Sequence, residues 1–269
     1  MKDVQKQLFL PESMYYLSNS MNMRKITEAY IYGFPVTCEV TRFDVIHKLF
    51  EVYLGGNIYG IIPLEESSIY PTMSGCELSS RNFALVGCNV RAYVTSIKDG
   101  IFLSRKEHMQ KALESISKMS HFKYVSFTGF TYLTAFVDVG AGIAGRILPP
   151  NFAPVIYRNV RDIGFEKNDI ISVDVLEYDT DNYRFELSRL SCLPHFSEVF
   201  HKNDLVECVV YGKLEDSSGY YVCINRYVCG IMDAPEFPLS YKEKVIARVS
   251  HVPDASKPGL QLAFRGLCT

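Results

Sequence analysis

Apolar and polar residues alternate along residues 136–139, with Phe136 and Asp138 on one side of an extended chain and Val137 and Val139 on the other. The alternation recurs along 171–175, where Ile171, Val173 and Val175 oppose Ser172 and Asp174. A period of two predicts strands with one face in a core and the other toward solvent or a ligand. Further β-type segments are predicted at 34–43, 50–54, 58–62, 89–97 and 100–104. Gly55-Gly56 supplies one tight hairpin turn, Gly140-Ala141-Gly142 a second, and Asn225 takes the corresponding place in a third. Another hairpin closes over Asp179-Thr180-Asp181-Asn182 and returns through 184–188.

One pattern occurs three times, 85 residues apart: Val52-x-Leu54-x-x-x-Ile58-x-Gly60, Val137-x-Val139-x-x-x-Ile143-x-Gly145 and Val222-x-Ile224-x-x-x-Val228-x-Gly230. Solenoid repeats run roughly 20–50 residues, so this period suits a compact β domain instead. Five short strands per module is the count of an OB barrel. The expected fold is therefore all-β, three tandem five-stranded OB barrels. The expected boundaries are an extension at 1–32, a first barrel at 33–104, a helical linker at 105–120, a second barrel at 121–190 and a third at 191–269.

The linker places Met109, Ala112, Leu113, Ile116 and Met119 at helical spacing beside charged positions. It is expected to pack that stripe onto a barrel. The second linker, 190–200, carries Pro194 and is too broken for a comparable helix. The extension has no counterpart in the other modules; a short helix is expected over 23–30, opened by Asn22.

With 48% hydrophobic and 22% charged residues, the chain has the composition of a globular protein. It contains no run of about 18 apolar residues and no apolar signal-type segment near its start, which predicts a cytoplasmic protein without membrane contact. The eight cysteines never form C-x-x-C and several fall in apolar strand patterns, the expectation being buried free thiols in a reducing compartment. The six histidines show no H-x-x-H or H-x-x-x-H spacing; no metal and no cofactor are expected. Neither G-x-S-x-G nor a phosphate-binding G-x-x-x-x-G-K-[ST] occurs, so no enzyme is expected. A net charge of −2 argues against tight sequence-independent nucleic-acid binding, which gains affinity by neutralising many phosphates.

The run Gly55-Gly56-Asn57-Ile58-Tyr59-Gly60-Ile61-Ile62-Pro63, with Leu103-Ser104-Arg105-Lys106 and a helix after it, resembles the tandem RNA-binding repeats of ribosomal protein S-one. The second module, with AFVDVGAGIAGRILP and NDIISVDVLEYDTDNYRFELSRL, is the most similar to that family; the third diverges in its ending LQLAFRGL. The resemblance implies OB barrels whose second and third strands present aromatic and polar groups to single-stranded RNA. In the second module the family's strand-two aromatic falls on Phe136, and its closing-hairpin Asp and Arg fall on Asp179 and Arg184. A second aromatic and a histidine of the family are replaced by Leu133 and Leu148, and the first module carries Glu51 and Pro63 at the matching positions. The third offers Tyr221, with Tyr220 and Tyr227 nearby, but Asp233 for the histidine. Tyr157, Arg158 and Arg161 in one loop mix ring and cation in a way that suits RNA or a solvated turn, and Arg146 is either a phosphate contact or a sign that its face meets another domain. The implied function is single-stranded RNA binding, mainly by the central barrel, in translation or RNA handling. The alternative is a protein-docking scaffold in a ribosome-associated complex, using the first and third barrels.

Overall fold

The computed structural model describes residues 9–70, 84–131, 134–152, 165–193, 196–216, 218–225, 228–252 and 260–268; Tyr157, Arg158 and Arg161 lie outside them, as do Leu133 and Tyr227. Strands β1 (Pro35–Asp44), β2 (Leu49–Gly55), β3 (Ile58–Pro63), β4 (Asn89–Ser96) and β5 (Phe102–Ser104) close the first barrel. The central barrel uses β6 (His121–Phe130), β7 (Ala135–Asp138), β8 (Ala144–Ile147), β9 (Ile170–Asp179) and β10 (Arg184–Ser188). The third uses β11 (Leu205–Lys213), β12 (Gly219–Asn225), β13 (Val228–Asp233), β14 (Lys244–His251) and β15 (Leu260–Leu267). Around each barrel the order is first, second, third, fifth, fourth. In the first and third barrels the third and fifth strands pair in parallel, Ile61 with Phe102 and Gly230 with Leu260. This is the five-stranded OB arrangement expected three times over.

The 85-residue period is also a structural one. Val52, Val137 and Val222 are 0%, 2% and 1% exposed, each in a barrel core. Val40 opposes Val52 and Val210 opposes Val222, and in both pairs of strands a bulge follows directly. The next cross-strand position carries different chemistry in each module: Tyr53 opposite Tyr59 in the first, Cys223 opposite Cys229 in the third, and Asp138 and Ala144 at the matching places in the centre. A shared backbone register thus leaves this position free to diverge.

Both helices form where the spacing predicts them, the first opened by the expected Asn22. Helix α1 spans Met23–Tyr32, its Lys25 N–H donating to the Asn22 side chain at 3.0 Å, and ends on left-handed Gly33. Helix α2 spans Arg105–Ile116; Ser104 accepts from the Glu107 N–H at 2.9 Å, and Met109, Ala112 and Ile116 are buried. The second linker holds only short turns among its described residues, Leu190–Cys192 and Phe196–Val199.

By packing, the chain falls into two compact units. One gathers the described residues up to Ser126 with Asp138–Gly145 and Tyr178–Phe185; the other holds Phe127–Val137, Arg146–Glu177 and the described residues from Glu186 on.

In the first unit the extension is a strap over hairpin tips. The Ser18 carbonyl lies against Gly55 and the Met21 carbonyl against Gly56, and the Phe9 carbonyl lies against Gly140. The Ala141 N–H donates to the Leu10 carbonyl at 2.9 Å. Beneath the strap, the alternation that put Asp138 on an outer face is overridden. Asp138 is 5% exposed and accepts from the backbone N–H groups of Glu12 (2.6 Å), Gly140 (2.8 Å) and Gly142 (3.0 Å). Burial and the neighbouring Glu12 carboxylate push its pKa up to about 7, against the opposing pull of the Glu12 and Gly140 N–H groups and the Arg105 charge. Glu12 in turn forms a two-pronged pair with Arg105, Nε to Oε1 at 2.7 Å and Nη2 to Oε2 at 2.9 Å, while Nη1 donates to the Ser67 carbonyl at 2.6 Å. Gly142 (φ +77°) lies under this guanidinium, where a Cβ would collide with Nη2.

The second unit has a cluster around Phe127, Phe152 and Phe165, with the buried Arg189 guanidinium 4.7 Å and 5.0 Å from the Phe152 and Phe165 ring centres. Its third barrel is built on Val210, Val222, Met232, Val245 and Leu262. There the free-thiol expectation fails for one pair, because Cys223 and Cys229 are joined as a disulfide across β12 and β13. C-x-x-C counting overlooks such a pair, since a hairpin brings together residues six apart. Cys38 and Cys208 are buried thiols, and Cys88, Cys192 and Cys268 are half-buried ones.

Candidate nucleic-acid interface

The β9–β10 hairpin of the first unit carries two of the sequence candidates. Asp179 accepts from the N–H groups of Asp181 (3.0 Å) and Asn182 (3.1 Å) and from the Asn182 side-chain amide (2.8 Å). These bonds, the Asn182 amide foremost, hold its carboxyl below the ordinary range. Asp179 therefore shapes the turn. Arg184, half-buried across the hairpin, adds a smaller favourable field at that carboxylate. The turn ends on Tyr183 in the left-handed region (φ +51°), and Tyr178 stacks on Phe185 with ring centres 4.6 Å apart.

Tyr70, from the chain that follows β3, ties this hairpin down. Its hydroxyl donates to the Tyr183 carbonyl at 3.2 Å and accepts from the Ala144 N–H at 2.6 Å. Burial raises its pKa to about 12, keeping it a neutral donor. Between the hairpin and the second face of α2 lies a cleft of about 750 Å³, lined among others by Lys106, Gln110, Leu113, Glu114, Tyr178 and Tyr183. Of the stripe expected to pack on a barrel, Leu113 is instead half-buried and lines this cleft. With Lys106, Gln110 and Glu114 it forms a further, mostly polar face at helical spacing, one that a search for apolar stripes passes over.

On the strand face of the second unit, Phe136 is half-buried on β7 between buried Ala135 and Val137. Arg146, on the neighbouring strand β8, pairs its Nε with the Glu186 carboxylate on β10. That pairing neutralises the cation locally. The structure thus places Phe136 and Arg146 on adjacent strands of one face, and Asp179 and Arg184 on one hairpin. Leu148, where the resemblance called for a histidine, is exposed at 37%. In the third barrel Tyr221 is half-buried on β12 opposite Gly212, while Tyr220 is core.

In the first barrel the positions matching the family's aromatic and histidine carry Glu51 and Pro63. Glu51 forms a surface pair with Arg42 at 3.6 Å. Two residues further on, however, Tyr53 and Tyr59 face each other across β2 and β3 with ring centres 5.2 Å apart, Tyr59 being 63% exposed. Position-by-position matching to a family pattern misses this pair, although simple strand alternation from Val52 would have found Tyr53.

Fold and surface together define a tandem OB-barrel protein. No family model and no curated protein matches the chain. Among solved structures it is similar to a multidomain protein with nucleic acid binding domains from Streptococcus pneumoniae TIGR4, at 14% identity and a TM-score of 0.27, over 86% of this chain and 73% of that one. It is also similar to Drosophila Unr CSD456, at 11% identity and a TM-score of 0.21, over 87% of this chain and 97% of that one. Likenesses at this level say nothing about function. Among the described residues no helix is long and apolar enough to cross a membrane.

Proposed function

We propose that this chain binds single-stranded RNA without catalysing a reaction, as an accessory of translation or RNA handling, and that its barrels are of the ribosomal protein S-one type. The observation that carries the reading is Phe136, a ring left partly open on a strand whose neighbouring residues, Ala135 and Val137, are core. A ring so placed stacks on a base, a contact worth roughly 1–3 kcal/mol that every base can make. With a net charge of −2 and Arg146 held by Glu186, few phosphates are neutralised. Affinity is then micromolar, about −8 kcal/mol, with a shallow salt dependence. A fluorescence-anisotropy titration of a labelled single-stranded RNA at two salt concentrations tests this; a flat titration at both rejects it.

One observation favours the protein-docking reading. Ile31, Tyr32 and Phe34, at the end of α1 and the start of the first barrel, are 66%, 68% and 60% exposed. Closely spaced exposed apolar side chains of that size are a feature of protein-binding surfaces.

A further inference from the structure

We infer that the cleft between α2 and the β9–β10 hairpin is a pocket for one nucleotide of a single-stranded RNA, an inference that rests on the RNA-binding reading and adds a second site to it. At about 750 Å³ the cleft falls within the range of small-ligand pockets, roughly 300–1,000 Å³. Its lining supplies each part of a nucleotide's chemistry. Tyr178 and Tyr183 offer ring surface for a base, and the Gln110 amide offers both a donor and an acceptor for a base edge. Lys106 offers a cation for a phosphate, and the Glu114 carboxylate accepts from a ribose hydroxyl or an exocyclic amine.

The pocket is preformed. Tyr178 is backed by Phe185 at 4.6 Å, and the Tyr183 backbone is held by the Tyr70 hydroxyl at 3.2 Å. The floor is equally fixed, because the opposite face of α2 buries Met109, Ala112 and Ile116. Ligand binding therefore requires little ordering of the walls. A nucleotide fits better than a peptide side chain because the lining combines polar groups with rings, with only Ile69 and Leu113 as aliphatic side chains among the described residues.

The test is photocrosslinking of a short single-stranded RNA containing thiouridine to the full chain, with peptide mapping, together with anisotropy titrations of Tyr183→Asn and Gln110→Ala. Asparagine tolerates the left-handed backbone of residue 183, and Gln110 is exposed on its helix, so both variants leave the fold in place. The inference expects crosslinks on Tyr178 or Tyr183 and at least a five-fold loss of affinity in Tyr183→Asn, the factor that corresponds to about 1 kcal/mol. RNA binding by the wild type with crosslinks on β7 alone and undiminished affinity in both variants overturns the cleft and spares the RNA reading. The cleft would then belong to another occupant, such as an apolar side chain of a protein partner. A wild type that neither binds nor crosslinks the RNA overturns both.

Discussion

Replacing Glu12 by Gln removes one charge from a buried pair and leaves Arg105 charged in place. The two side chains are only 12% and 6% exposed, so this pair is not of the surface kind worth about 0–1 kcal/mol. Breaking a buried pair costs roughly 3–5 kcal/mol because the remaining charge is uncompensated. Two features reduce that here. The carbonyl oxygen of the introduced amide can still accept one guanidinium N–H, and Asp138, relieved of the Glu12 charge, ionises more readily beside Arg105. The expected cost is therefore about 2–4 kcal/mol. It falls on the strap, whose contacts with the β7–β8 hairpin include the Ala141 N–H to Leu10 bond at 2.9 Å and the Glu12 N–H to Asp138 bond at 2.6 Å. Native-state hydrogen exchange at Ala141 reads it directly, with exchange accelerated by about thirty-fold or more, the factor for 2 kcal/mol. Adding Arg105→Met should recover much of the loss, since it removes the stranded charge. An Ala141 exchange rate within about two-fold of wild type in Glu12→Gln would refute the reasoning, since the pair would then hold nothing down.

Gly142→Ala should destabilise the fold by more than the ~1 kcal/mol of a left-handed alanine, because its Cβ also displaces the Arg105 guanidinium, and so lower the melting temperature; an unchanged melt contradicts the close approach. Val52→Asp, Val137→Asp and Val222→Asp should each unfold their own barrel, an unpaired buried charge costing several kcal/mol, as followed by proteolytic mapping. The pH profile tests two buried groups of opposite sign. Burial holds His108 near 4 against its ordinary 6.5, so the unfolded chain binds more protons between those values and stability falls as pH falls. Asp138, raised from 3.8 to about 7, binds its proton more tightly in the folded state, so its contribution is lost as pH rises through that window. The slopes oppose each other in the wild type, and Asp138→Asn should expose the His108 slope as a melting temperature that drops from pH 6.5 to 4, whereas a flat profile in the variant contradicts the assignment.

Strand alternation and the Val-to-Gly spacing made the three barrels legible, because inward positions are set by local periodicity alone. Asn22 announced the start of α1 for the same reason: a cap acts within three residues. Long-range burial was not legible. Asp138 reads as an outer-face carboxylate until residues 9–12 fold over it, and nothing in the spacing of Glu12, Arg105 and Asp138 brings them together. Cys223 and Cys229 are likewise joined by a hairpin register that a search for metal-ligand spacing does not contain. At the candidate interface, Phe136 follows from alternation, while the Tyr178–Tyr183 cleft depends on Tyr70, a residue 113 positions from its partner Tyr183.

The central claim is that the partly exposed ring of Phe136 stacks on RNA. Anisotropy titrations of one single-stranded RNA against the wild type and Phe136→Ala, each at two salt concentrations and with folding checked by circular dichroism, test it most directly. The account predicts a loss of about 1–3 kcal/mol with the salt slope unchanged, whereas Arg184→Ala should reduce that slope by about 0.7, the single-strand value for one phosphate. Equal affinity of wild type and Phe136→Ala, with both folded, would contradict it.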